Sequence, residues 1–117
     1  ALFDAADPNQ SVATRQPTTT PTQALFLMNS PFVHRQAGGL AARLLTGSSD
    51  PRKRILAAFE MAHGRVPDEP TIASALQFVR SYEQKLPGDT GEREKEQASW
   101  AALARVILTS NAFLYVD

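Results

Sequence analysis

The chain has 117 residues and no cysteine, and its twelve Lys and Arg balance its twelve Asp and Glu. That length suits one domain with a sizeable core, and 43% hydrophobic with 21% charged residues is ordinary for a globular fold. The charge balance argues against a nucleic-acid binder or a polybasic membrane anchor, the lack of thiols excludes disulfides, Cys-ligated metals and thiol nucleophiles, and no apolar run approaches the ~20 residues of a membrane-spanning helix.

Residues 1–19 hold Asp4, Asp7-Pro8-Asn9, Pro17 and Thr18-Thr19, with Leu2, Phe3 and Val12 as the sizeable apolar side chains. This composition predicts an extended, turn-forming leader laid across a surface. Asp4, Asp7 and Asn9 hint at calcium ligands, but the central Gly and terminal Glu of a calcium loop are missing, and Asx-turns account for the same residues. Residues 20–117 are expected to form a helical bundle. Thr20 fits an N-cap, Pro21 the first helical position, and Gln23 the far corner of a capping box. Ala24 to Met28 then run apolar, as in a short helix buried on most sides. Asn29-Ser30-Pro31 ends it and repeats the device, with Ser30 as the next cap.

Val33, Ala37, Leu40, Ala41 and Leu44 recur at helical spacing and predict a second helix to about Leu45. Gly38-Gly39 weakens it by about 1 kcal/mol per glycine and points to a neighbour packed close to the backbone. Asp50-Pro51 opens a third helix, with Ile55, Ala58, Phe59 and Ala62 as its buried stripe and Gly64 at its C′ position. Arg52-Lys53-Arg54, the densest basic cluster, reads as a solvated face rather than a phosphate site. Asp68 caps a fourth helix carrying Ile72, Ala75, Leu76, Val79 and Tyr82, and Phe78 widens its apolar face. The alternating Glu92-Arg93-Glu94-Lys95-Glu96 forms the solvated first turn of a fifth. There Trp100, Leu103, Ala104, Ile107 and Leu108 match the i, i+3, i+4, i+7, i+8 template. Ser110-Asn111 then opens a last short apolar turn from Ala112 to Val116. The fold class is all-α, a compact bundle of about five helices with an extended N-terminal leader. The opening Ala1-Leu2-Phe3, without an initiator Met, suggests a piece of something longer.

Catalytic chemistry finds little support. His34 and His63 fall on separate helices without metal-ligand spacing. Ser30 precedes His34 by four residues, as in a nucleophile–base pair, but no G-x-S-x-G elbow is present and Ser30 already serves as a cap. Gly38-Gly39 lacks the rest of a phosphate loop, and Asp50 with Glu60 is a carboxylate pair that any helical protein supplies by chance. Thr18 to Thr20 offer hydroxyls to an anion or sugar, yet turn and cap chemistry accounts for them. No catalytic, metal-binding or cofactor-binding residue is assigned.

Several phrases carry a resemblance: Phe3-Asp4-Ala5-Ala6-Asp7-Pro8-Asn9, Arg15, Thr18-Thr19-Thr20-Pro21-Thr22-Gln23-Ala24-Leu25 and Met28-Asn29-Ser30-Pro31-Phe32-Val33. Arg54-Ile55 through Ala62-His63-Gly64-Arg65-Val66-Pro67 continues it, as does the ending from Trp100 to Asp117. Together they resemble the C-terminal planctomycete-specific domain of unknown function, found in large proteins that often also carry a cytochrome-c-like domain. Thr14-Arg15 stands where two arginines are usual, and Ala112 where an acidic residue is common. The resemblance implies a multi-domain parent that is exported or sits in the cell envelope. It supplies no catalytic residues. Any haem belongs to another domain of the parent, since no Cys-x-x-Cys-His motif occurs here.

Two functions of different class follow. In the first, this is a non-catalytic packing and interaction domain whose two chain ends meet. Phe3, Phe26, Phe32, Phe113 and Tyr115 then form an apolar face covered by upstream domains of the parent. In the second, Asp4, Asp7, Arg15, Thr18 and Thr19 line a ligand-binding or catalytic half-site completed by upstream residues. Buried, convergent polar groups around Asp7 and Arg15 would favour the second, and a flat apolar patch the first. Docking for electron transfer to the parent's haem domain is suggested by the resemblance alone. Nucleic acid and direct membrane insertion are not expected.

Overall fold

Three helix starts in this chain share one device, a capping oxygen followed within two residues by proline. The structure, a computed structural model, describes the backbone of residues 26–114 and the side chains of residues 26–110. Helix α1 is described over residues 26–28, and α2 (Pro31–Gly47), α3 (Pro51–His63), α4 (Glu69–Lys85) and α5 (Glu92–Leu114) follow. Ser30, Asp50 and Asp68 stand extended ahead of α2, α3 and α4, and their side chains accept from the N–H groups of Val33, Arg52 and Thr71. Proline takes a position whose N–H has no helical acceptor, so it removes nothing and presets φ. Helix α3 stops at Gly64, whose φ of 68° lies in the left-handed region that a side chain would strain. No strand occurs among the described residues, and the fold is all-α.

The core is built on α5. Trp100, Leu103, Val106 and Ile107 are buried against Ala41 and Leu44 of α2, Ile55, Ala58 and Phe59 of α3, and Ile72, Ala75 and Val79 of α4. Helix α5 touches each of these three helices, α2 most extensively. Small residues let the axes approach: Ala37, Ala41, Ala58, Ala75, Ala102 and Ala104 are all buried. From Ser99 to Ser110 both sides of α5 are covered, so its buried hydroxyls bond back to their own helix. Ser99 donates to Glu96 O at 3.2 Å, Thr109 to Arg105 O at 2.7 Å and Ser110 to Ile107 O at 2.6 Å.

Two expectations are corrected. Helix α5 does not stop near Leu108 and restart at Ser110-Asn111; it runs unbroken to Leu114. Thr109 and Ser110 turn their hydroxyls to carbonyls in the preceding turn instead of capping a new one. Gly38 and Gly39 have no close neighbour either: a Cβ on either would meet nothing within 4 Å. Contact along α2 is made by Ala37 and Ala41 instead. The leader over 1–19, the Thr20–Gln23 capping box and the boundary between leader and bundle lie outside the described residues.

The α4 cap gives a test by pH. Asp68 accepts from Thr71 N–H at 3.0 Å, and the hydrogen bonds from Thr71 hold its carboxyl below the ordinary value of 3.8. A carboxyl depressed in the folded state stabilises fully above its unfolded pKa and loses that contribution as pH falls through the folded value. Asp68→Asn keeps an acceptor but cannot titrate. Its melting temperature is therefore expected to fall less steeply than that of the unmodified chain on acidification from about pH 5 to about pH 2. Parallel curves would show that Asp68 does not hold the cap.

Candidate functional site

Among the described residues Arg54 is the buried charged side chain, 6% exposed. It lies in the first turn of α3 on the same stripe as Ile55 and Ala58, so that stripe carries it inward. Its Nε donates to Ser48 O in the loop after α2, and a terminal N–H donates to Glu96 Oε2 of α5 at 2.8 Å. The guanidinium carbon sits 5.3 Å from the centroid of the Trp100 ring. One planar cation thus meets a carbonyl, a carboxylate and an aromatic face, joining three segments of chain.

The solvated basic cluster expected at Arg52 to Arg54 is therefore divided. Arg52 and Lys53 are exposed. Arg52 forms a two-pronged pair with Glu69, one prong at 3.0 Å, and its guanidinium holds the Glu69 carboxyl below the usual carboxylate range. Such a pair in open water adds little stability. Arg54 and Glu96 instead belong to the interior ties. A cavity of about 390 Å³ opens beside them, with Arg80, Arg93, Glu83 and Glu92 also in its lining. Its charges are mixed in sign.

His63 closes α3 against α5. Its Nε2 lies 2.9 Å from Ile107 O and 3.0 Å from Ser110 Oγ. A carbonyl can only accept, so Nε2 carries the proton, and the Ser110 hydroxyl gives its own hydrogen to Ile107 O. A serine beside a histidine suggests a nucleophile and its base. Here the nitrogen facing the serine has no lone pair with which to take a proton, and Ser110 is 1% exposed. The arrangement is a tie between helices, and the ring also stacks on Phe59 at 5.8 Å. At the other candidate pair, Ser30 is the α2 cap and His34 is exposed.

Of the predicted interaction residues, Phe26 is 77% and Phe32 59% exposed. Met28 packs on the core beside them, so α1 buries one side and leaves Phe26 outside. Phe3, Tyr115 and the side chain of Phe113 lie outside the described residues, as do Asp4, Asp7, Arg15, Thr18 and Thr19. The meeting of chain ends and the polar half-site both fall there. Among the described residues no group of three or more His, Cys, Asp or Glu side chains gathers as a metal ion would require. No described helix is long and apolar enough to cross a membrane.

Apolar periodicity alone does not find Arg54 and Glu96, because both are charged residues on buried stripes. The signal was present: Arg54 precedes Ala58 by four residues, and Glu96 precedes Trp100 by four.

These features define an all-α domain whose polar interior joins helix to helix and whose exposed aromatics cluster around the start of α2. The chain matches the model of the family described as PSD1, protein of unknown function (DUF1553), over residues 1–79, and it belongs to that family. The matched stretch includes α2 and α3 and stops within α4, short of the helix on which the core is built. No curated protein and no solved structure matches the chain.

Proposed function

We propose that this chain is a non-catalytic helical packing and interaction domain of a larger protein, with upstream domains of that parent as its partners. The resemblance drawn from the sequence motifs supports a C-terminal place in a planctomycete protein that is exported or held in the cell envelope. A cytochrome-c-like domain elsewhere in the parent would carry any haem. In this reading the leader over 1–19 packs on the bundle over 20–117, and the domain holds no metal or cofactor of its own.

One observation carries the proposal. Phe26 and Phe32, 77% and 59% exposed, flank the Ser30 cap and place two aromatic side chains in water at one end of the bundle. Aromatic rings bring large apolar area with few rotatable bonds, which makes them effective anchors once a partner covers them. Every described buried side-chain nitrogen and oxygen already has a hydrogen-bond partner within the domain.

The test is calorimetric titration of the domain with the remainder of the parent. Phe26→Ala and Phe32→Ala are each expected to weaken binding about tenfold or more, about 1.4 kcal/mol, with the fold intact because both rings are exposed. Lys53→Ala, an exposed charge on α3, should change it less than about twofold. Absence of binding by the unmodified domain, or a larger loss from Lys53→Ala, would refute the interaction reading.

A further inference from the structure

Helix α2 carries a second feature that neither its core contacts nor its cap explains. Arg35, Gly39 and Arg43 recur at four-residue intervals, and Phe32 continues the same face toward the helix start. Met61 of α3 and Leu108 of α5 join Arg35, Gly39 and Arg43 around a groove of about 360 Å³.

This groove differs in sign from two other grooves of the domain. Both charged residues in its lining are arginines, whereas the grooves of about 740 Å³ and about 390 Å³ mix arginine with glutamate. Within a chain of zero net charge this is a local excess of positive charge. Arg52 and Arg54 have their carboxylates, but among the described residues Arg35 and Arg43 form no ion pair.

The groove also has a gap at its centre. A Cβ on Gly39 would meet nothing within 4 Å, so an incoming side chain can reach the α2 backbone between the two arginines. Nothing else described in this domain uses that space, although a glycine there weakens the helix. Apolar side chain in the lining is left wet as well: Met61 is 51% exposed.

Spacing narrows the occupant further. Arg35 and Arg43 are eight residues apart, about 12 Å along the helix axis, with Gly39 midway. An extended peptide advances about 3.3 Å per residue and shows alternate side chains on one face. Acidic residues at its positions i and i+4 therefore span about 13 Å, and the side chain at i+2 falls over Gly39.

We propose that this groove docks an extended acidic segment of a partner protein, in which two carboxylates meet Arg35 and Arg43 and an apolar side chain between them enters the gap at Gly39. The proposal names the partner chemistry of the interaction surface and so rests on the interaction reading above. Two arginines alone do not suit nucleic acid, which is held through many phosphate contacts.

The test is fluorescence anisotropy of the 117-residue chain with a labelled peptide carrying two glutamates four residues apart around a central phenylalanine. The same peptide with glutamines is the control. The glutamate peptide is expected to saturate, and the glutamine peptide to bind at least about tenfold more weakly. Arg35→Gln combined with Arg43→Gln should lose about tenfold or more, with circular dichroism unchanged. Gly39→Leu should lose as much while keeping both charges, at an equal or higher melting temperature, since leucine favours the helix. Arg80→Gln, from the mixed-sign groove, should have no effect.

Equal binding of the two peptides, no saturation, or indifference to the arginine pair would overturn the proposal. So would tighter arginine-dependent binding of an oligonucleotide or of phosphatidylserine vesicles, or a self-association of the chain that the arginine pair abolishes. The parent's remainder separates the two ideas. Binding that is lost in Phe26→Ala yet indifferent to the arginine pair keeps the interaction reading and overturns this one. Arginine-dependent capture of the glutamate peptide, with no binding of the parent's remainder, does the reverse.

Discussion

Arg54→Ala is expected to lower the stability of the domain by about 3 kcal/mol, read as a shift of the urea midpoint at unchanged slope. The substitution removes the Glu96 pair, the donor to Ser48 O and the cation resting on Trp100 in one step. Removing one member of a fully buried pair costs about 3–5 kcal/mol. The Glu96 side chain is 43% exposed and can turn toward water when left alone, which sets the expectation at the low end. Arg54→Lys should recover only part of the loss, because an ammonium cannot present a planar fork to carbonyl and carboxylate while lying on an indole. A loss under about 1 kcal/mol for Arg54→Ala would place this arginine among the surface charges whose removal is nearly neutral.

Leu103→Ala is expected to cost about 3–4 kcal/mol and to lower the melting temperature by about 15 °C. Leu103 is fully buried at the middle of α5, among Trp100, Val106 and Ile107 of its own helix and the faces of its neighbours. Ala41, Ala58 and Ala75 of the same core are too short to move into a void, so part of the cavity should persist and its cost should add to the lost transfer energy. Leu108→Ala, at a half-buried position on the same helix, should cost about 1 kcal/mol by comparison. Equal losses at the two positions would mean that α5 is not the centre of the core.

Much of this architecture could be read from the chain. Ser30-Pro31, Asp50-Pro51 and Asp68 with Pro70 announce three helix starts through local chemistry, and the structure uses all three. The Trp100 to Leu108 pattern marked α5 correctly because burial imposes the helical period. Failures came where distant contacts overrule local preference. Ser110-Asn111 looks like a new cap, but at Ser110 the pull toward Ile107 O and His63 wins. Gly38-Gly39 looked like a close-packing site, and a single chain cannot show that the open side faces a groove. Arg54 looked solvated because its neighbours Arg52 and Lys53 are, while its carboxylate lies in Glu96 on a helix far along the chain. Phe26 was legible in part: an apolar run from Ala24 to Met28 cannot bury every face on a small bundle, and Phe26 is the face left over. The polar residues of the leader fall outside the described structure and leave the half-site without a position.

The place of α5 in the chain has a consequence for synthesis. A ribosome delivers α2, α3 and α4 first, so Leu44, Ile55, Phe59 and Ile72 emerge before the helix that covers them has been made. At about 5–20 residues per second, several seconds separate the appearance of Leu44 from that of Ile107. During that interval α2, α3 and α4 have their contacts with one another but lack the helix that each of them packs against. The complete core can close only once Trp100 to Ile107 have cleared the exit tunnel. The emerging chain is thus a ready client for chaperones that bind exposed apolar segments, and a translational pause between α4 and α5 would lengthen its exposure most.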